Sequence, residues 1–281
     1  MLPPSPTVGV LIRFSDSAAT LPAVLNALQK QTLQPDQLLG VNSGGTDASP
    51  ERFRAAGGQV VDWPLPYAHS AVLNFGLRFL TTDLVLVLSS HTVLESPESL
   101  AQMVAAMRDP AAACVSLAWD DDPFYSDAIR WDELQRKGLR FGSFYSNSMG
   151  MIRRRLWEAQ PFDEDLPTAE DYAWSLAQMK KGHTCHRLHL PFSYRRGGTA
   201  RDGEFAQVTF HLAKKHRLNV AWLGPKASLR ELAQHRLRRL LGHADAAPER
   251  QRTQAIRQRL SAWFLAKLGW SPPLTFEHRS S

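Results

Sequence analysis

Apolar and polar positions follow two different periods along the first two thirds of the chain. VGVLIRF (8–14), QLLGVNS (37–43), QVVDW (59–63), LVLVL (84–88) and ACVSLAW (113–119) are short runs rich in Val, Leu and Ile, which predict strands. Between them lie segments with helical period: LPAVLNALQKQT (21–32), with Leu21, Val24, Leu25 and Leu28 on one face, then AVLNFGLRFL (71–80) and ESLAQMVAAM (98–107). Strands alternating with helices predict an α/β fold with a mostly parallel central sheet flanked by helices. LVLVL is apolar at every position, as a central strand covered on both faces should be. The chain leaving the carboxyl end of such a strand is where ligands usually sit, and here it reads Ser89, Ser90, His91.

After Trp119 the pattern loosens into a polar and aromatic stretch that predicts loops with a short helix, the aspartates Asp120, Asp121 and Asp122 among them. Regular structure resumes with MIRRRLWEA, an acidic loop PFDEDLPTAED, and a helix DYAWSLAQMKKG closed by Gly182. ASLRELAQHRLRRLLG and QRTQAIRQRLSAWFLAKLG then predict two basic helices. The expected division is residues 1–224 as one α/β domain and 225–281 as a basic, helical C-terminal extension.

At 281 residues, 43% hydrophobic and 21% charged, the chain resembles an ordinary soluble domain with a substantial core. Its two cysteines, Cys114 and Cys185, stand far apart in sequence and offer no zinc framework. No stretch approaches the roughly 20 apolar residues of a membrane span, and the first residues lack the features of a signal peptide, so a cytoplasmic location is expected. Charge changes the picture only in the tail: from Lys226 to Ser281 there are eleven Lys and Arg against four Asp and Glu. A basic amphipathic tail with Trp263, Phe264 and Trp270 suits peripheral contact with an anionic membrane surface, or packing on the domain, or self-association.

Five motifs in order give the chain a resemblance to the family 2 glycosyltransferases, which have the Rossmann-like GT-A fold. They are a strand running into a polar turn (VGVLIRFSDSAATL), V-N-S-G-G-T-D (41–47) where the family has a segment like V-D-S-G-S-T-D, L-N-F-G (73–76) for an R-N-x-G-like element, L-S-S-H (88–91) at the D-x-D position, and the E-D pair of TAEDYAW (168–174). The resemblance covers about residues 8 to 200. It implies transfer of a sugar from a nucleotide-diphosphate donor to a glycan or lipid-linked acceptor, with inversion, and no nucleic-acid partner.

The resemblance places nucleotide-sugar contacts at Arg13, Ser15, Asp16, Asn42, Ser43, Asp47, Asn74, Ser89 and Ser90. Asn42, where the family has Asp, keeps an acceptor oxygen for a base and adds a donor. The same residue types also build an Asx turn, with Asp47 capping a helix. Asn74 serves equally as a buried amide tying loops together, and His69 and Ser70 precede its helix. Arg195 and Arg196, beside Gly197 and Gly198, suit a basic loop closing over a diphosphate.

The last Asp of D-x-D binds Mg²⁺ or Mn²⁺ in the family, and by position that residue is His91. An imidazole there holds a cation, donates to phosphate, or marks a site without activity. In the E-D pair the resemblance assigns the general base to Asp171, with Glu170 orienting it or the acceptor. Acids at a helix start also favour the macrodipole without any catalysis. Tyr145, Asn147 and Trp174 flank this segment as candidate acceptor contacts.

Overall fold

The computed structural model describes residues 5–119, 124–139, 144–166, 168–194 and 202–220, with single positions at 233, 260 and 264. The chain opens with β1 (Val8–Phe14), α1 (Leu21–Gln29), β2 (Gln37–Asn42), α2 (Ser49–Ala55), β3 (Gln59–Asp62), α3 (His69–Leu77) and β4 (Leu84–Ser89). It continues through β5 (Thr92–Leu94), α4 (Ser99–Ala106), β6 (Ala112–Leu117), β7 (Ala128–Ile129) and α5 (Trp131–Lys137). The last described elements are β8 (Met149–Arg153), α6 (Arg154–Ala159), α7 (Glu170–Lys180), β9 (Thr184–Leu188), β10 (Phe192–Tyr194) and α8 (Asp202–His216).

Eight strands form one sheet in the order β3-β2-β1-β4-β8-β6-β9-β7, and β5 with β10 makes a separate two-stranded ribbon. β1 pairs in parallel with β2 and β4, while β8 runs antiparallel between β4 and β6. The alternation along β4 explains why it reads as uniformly apolar. Leu84, Leu86 and Leu88 join the core on one face with Val10, Ile12 and α1, and Val85 and Val87 join the core on the other with Leu11, Val41 and α3. Both faces are buried, so every position is apolar.

The antiparallel insertion of β8 has a functional consequence. Its first residues lie where β4 and β6 end, with Leu88 opposite Met149 and Ser116 opposite Gly150. Residues just before β8 therefore share an edge of the sheet with the carboxyl ends of β1, β2 and β4.

The L-N-F-G segment holds α3 to this sheet in two ways. A Cβ on Gly76 would meet Val41 Cγ2 at 2.6 Å and Leu11 Cδ1 at 2.7 Å, so only glycine permits this approach. Asn74 is buried with its whole amide engaged. Its Nδ2 donates to the Phe162 carbonyl (2.9 Å) and Glu164 Oε1 (2.8 Å), and its Oδ1 accepts from Trp157 Nε1 (2.9 Å) and Phe162 N–H (3.1 Å). The expected nucleotide contact at Asn74 is thereby corrected: four hydrogen bonds to Phe162, Glu164 and Trp157 leave no donor or acceptor for a ligand. Asn74→Ala would strand two buried N–H donors and should cost about 3 kcal/mol of stability, read as a lowered urea midpoint with an unchanged slope.

The E-D helix α7 ends where expected, with Gly182 at φ 96° receiving the turn. Cys114 and Cys185, distant in sequence, face each other across β6 and β9 with Sγ atoms 3.1 Å apart, both free thiols. No described helix is long and apolar enough to cross a membrane. Apart from the single positions 233, 260 and 264, the basic extension from residue 225 falls outside the described residues, as do Arg195, Arg196 and the Asp120–Asp122 run.

Candidate active site

Two loops meet at the carboxyl ends of β1 and β2, and their polar side chains bind one another. Asp16 Oδ1 accepts the N–H groups of Thr46 (2.8 Å) and Asp47 (3.1 Å), and Asp47 Oδ2 accepts the N–H of Ala18 (2.7 Å). Asn42 Oδ1 accepts the Gly45 N–H at 3.0 Å, and its Nδ2 donates to Asp62 Oδ1 at 2.9 Å. Ser43 donates its N–H and its hydroxyl to the Phe14 carbonyl. Asp16 adopts φ 44°, a left-handed conformation that these contacts hold in place. The hydrogen bond from Ser49 and the N–H groups of Ala18 and Ser49 hold Asp47 below the usual carboxylate range. Of the residues expected here, Ser15 and Asp16 are exposed, while Asn42, Ser43 and Asp47 are partly exposed.

Beyond β4, Ser90 is buried with its hydroxyl 2.9 Å from that of Ser17, and Ser89 Oγ lies 3.0 Å from His91 Nε2. The His91 ring packs against Tyr194 of the β5–β10 ribbon at 4.8 Å. Hard divalent cations require several oxygen ligands, preferentially carboxylate. This strand end supplies two hydroxyls and one imidazole, and one of those hydroxyls is hydrogen-bonded to the imidazole. Among the described residues no group of three His, Cys, Asp or Glu side chains could hold a metal ion. The donor set does not make a cation site of protein ligands alone, so a cation at His91 would need its remaining oxygens from the diphosphate.

The E-D pair is joined to the donor-side loops by a chain of contacts. Arg13, in the last turn of β1, places Nη1 2.6 Å from His69 Nδ1, with Tyr67 OH 2.8 Å from the same nitrogen. The guanidinium also lies 5.3 Å from the centre of the Tyr67 ring. Arginine only donates, so His69 Nδ1 accepts and its Nε2 carries the proton. That Nε2 sits 3.0 Å from Glu170 Oε1, which also accepts the Asn147 amide at 2.9 Å. The Asn147 N–H then donates to Asp171 Oδ2 at 3.0 Å, and Tyr145 OH donates to Asn147 Oδ1 at 2.9 Å.

Neighbouring acids on one helix end have unequal environments here. Glu170 is 1% exposed, whereas Asp171 retains surface open to solvent. Burial alone would raise Glu170, but His69, the Asn147 amide and its own N–H outweigh it and hold the carboxyl at about 2. Burial and the adjacent Glu170 charge push Asp171 up to about 7 against the N–H groups of Asn147 and Tyr172. The residue before the pair, Ala169, is held at φ 62°, so the entry to α7 is strained at the point that presents the acids.

The expected acceptor contacts fare differently. Asn147 lies at the centre of the site. Trp174 is 2% exposed with its Nε1 donated to the Gln160 carbonyl at 2.7 Å, and Tyr145 is buried beside it. Both pack in the core, since their faces are covered by protein, and neither can stack on an acceptor. Sequence reading passed over Tyr67 and Ser17 and left the part played by His69 open. The signal available was weak: a Y-A-H-S stretch just before the helix carrying Asn74.

Parallel strands whose ends converge on paired loops, with a carboxylate pair at the same edge, make an α/β fold of the GT-A type. Residues 10–163, more than half of the chain, match the model of glycosyl transferase family 2, and the chain belongs to that family. The match stops short of Glu170 and Asp171. No curated protein matches the chain. Among solved structures, it is similar to the mannosyltransferase PcManGT from Pyrobaculum calidifontis in complex with GDP-Man and Mn²⁺, at 17% identity and TM-score 0.59 over 96% of this chain and 77% of that one. It is also similar to glucosyl-3-phosphoglycerate synthase from Mycobacterium tuberculosis, in complex with Mn²⁺, UDP and glucosyl-3-phosphoglycerate, at 17% identity and TM-score 0.58 over 78% and 83% of the two chains. At such identity the likeness shows the fold. The chain is a family 2 glycosyltransferase that uses a nucleotide-sugar donor.

Proposed function

We propose that this enzyme transfers a hexosyl or deoxyhexosyl group, with inversion, from a nucleotide-diphosphate sugar to a hydroxyl of a glycan or lipid-linked acceptor, with Asp171 as general base. The observation that carries this reading is the unequal placement of the acid pair. Glu170 is sealed against His69 and Asn147, while Asp171 retains surface open to solvent, with burial and the neighbouring Glu170 raising its carboxyl toward the range a base needs. Asp171 would take the acceptor proton as the acceptor oxygen attacks the anomeric carbon. The bond from that carbon to the diphosphate oxygen breaks, and the nucleoside diphosphate leaves.

The nucleotide is assigned to the clamped loops after β1 and β2, around Ser15, Asp16, Asn42, Ser43 and Asp47. The diphosphate is assigned to the ends of β1 and β4, where Arg13, Ser89, Ser90 and His91 lie. In this reading the Ser-Ser-His stretch replaces the family's D-x-D, and His91 acts as a hydrogen-bond donor to phosphate. Arg195 and Arg196 are assigned to the same diphosphate on sequence grounds, and residues 225–281 to peripheral membrane contact.

The closed Ser89–His91 contact favours a second reading, a GT-A domain that binds nucleotide without turnover. Thermal unfolding with UDP, GDP, dTDP and CMP, each with and without Mn²⁺, tests the assignment of the nucleotide. One diphosphate at 100 times its Kd should stabilise the protein by about 2.7 kcal/mol. The stabilisation should be equal in EDTA and in Mn²⁺, and a gain confined to Mn²⁺ would instead make His91 a metal ligand beside the diphosphate. Release of sugar from the matching donor separates the two readings.

A further inference from the structure

One exposed aromatic cluster near the active site is used by nothing described so far. Trp119, two residues past β6, is 44% exposed. Its indole meets Phe192 at 5.3 Å and 83° and Tyr194 at 5.0 Å and 82°. Tyr194 in turn meets His91 at 4.8 Å. The β5–β10 ribbon fixes this arrangement, because Tyr194 pairs with Thr92, the residue after His91. A wall of rings thus runs from the diphosphate end of β4 to Trp119.

The wall lies at the sheet edge that carries Asn147 and the acid pair. Ser89 donates its N–H to Ser148, the residue after Asn147, and Ala118 donates its N–H to Leu188 of β9. The ends of β4, β8 and β6 therefore present His91, Asn147 and Trp119 in turn, and Asn147 is the residue that holds Asp171. The clamped nucleotide loops lie on the opposite side of β4, after β1 and β2. An indole half open to water forgoes burial that a collapsed rotamer would gain, yet two perpendicular rings hold this one in place. The described residues of the wall carry no formal charge apart from any proton on His91. Such a surface suits a ring with an apolar C–H face and a rim of hydroxyls.

We infer that Trp119, backed by Phe192 and Tyr194, is a stacking subsite for a neutral pyranose ring of the acceptor. The acceptor is then a carbohydrate chain or glycolipid headgroup. The subsite rests on the glycosyltransferase reading for its role in transfer, but its binding can be tested without turnover. Saturation-transfer NMR would be recorded with the full-length protein, saturated with whichever of UDP, GDP or dTDP stabilises it, and with methyl glucoside, methyl galactoside, methyl mannoside or 3-phosphoglycerate as probe. At least one glycoside should show saturation at its ring C–H protons, reduced roughly tenfold by Trp119→Ala and retained by Trp119→Phe. Nucleotide stabilisation, unchanged in both variants, shows that they fold. Absence of a glycoside signal, a signal indifferent to Trp119→Ala, or saturation of 3-phosphoglycerate alone would overturn the subsite. Failure of UDP, GDP and dTDP alike to stabilise the protein would instead count against the donor reading; the probes are then run without nucleotide and judged by the same outcomes.

Discussion

Asp171→Asn should lower sugar transfer on the order of 10³-fold while leaving nucleotide binding intact. The amide keeps the shape of the carboxylate, and its single oxygen can still accept one of the Asn147 and Tyr172 N–H groups that the two carboxylate oxygens accept now, so the fold should survive. What it cannot do is take a proton from the acceptor hydroxyl. In the wild-type enzyme, activity should rise with pH as Asp171 ionises at about 7. The sign follows from the role: a base works in its unprotonated form, so the acidic side of the profile is the inactive one. Hydrolysis or transfer with the donor identified by thermal unfolding, measured across pH 5 to 9, checks both statements. Full activity in Asp171→Asn would remove the residue from the mechanism.

His69→Ala should move that acidic limb to lower pH by about one unit or more. Glu170 and Asp171 are close enough to share their titration, so the question is which of them carries the last proton. In the native site His69 Nε2 and the Asn147 amide favour an ionised Glu170, which leaves the proton on Asp171. Without the imidazole, burial pushes Glu170 up and the proton moves to it. Asp171 is then ionised at lower pH, although Arg13 and Tyr67 lose the partner that joins them to the site. His69→Gln can keep an N–H toward Glu170 and should restore the limb toward 7. Cys114 and Tyr145 also face Asp171, but burial and nearby negative charge hold both well above their ordinary pKa values, so they stay neutral through this range. A purely structural role for His69 would lower the rate at every pH and leave the limb in place.

Much of the chemistry was legible because it lies close together in sequence. Glu170 and Asp171 are adjacent and open a helix, and V-N-S-G-G-T-D is a continuous turn whose glycines and short polar residues mark it directly. Individual roles were harder to read. Asn42 and Asp16 carry the right functional groups, but their partners lie in other segments, Asp62 for one and Thr46 and Asp47 for the other. Asn74 and Trp174 are plausible ligand contacts by type, and burial alone shows that they serve the core. Helix ends also moved: α3 begins at His69, ahead of the expected Ala71, which brings the imidazole onto the helix that faces Glu170.

The sequence by itself determined the alternation of strands and helices, the buried central strand, the family resemblance and the acid pair. These are properties of period and of neighbours along the chain, which a linear reading preserves. Only the tertiary structure decided that β8 enters the sheet antiparallel, that His69 joins Arg13 to Glu170, and that Trp119 stands on Phe192 and Tyr194. It likewise placed Cys114 against Cys185. Each of these contacts joins residues dozens of positions apart. Sheet order and packing bring such residues together, and neither is written in local periodicity.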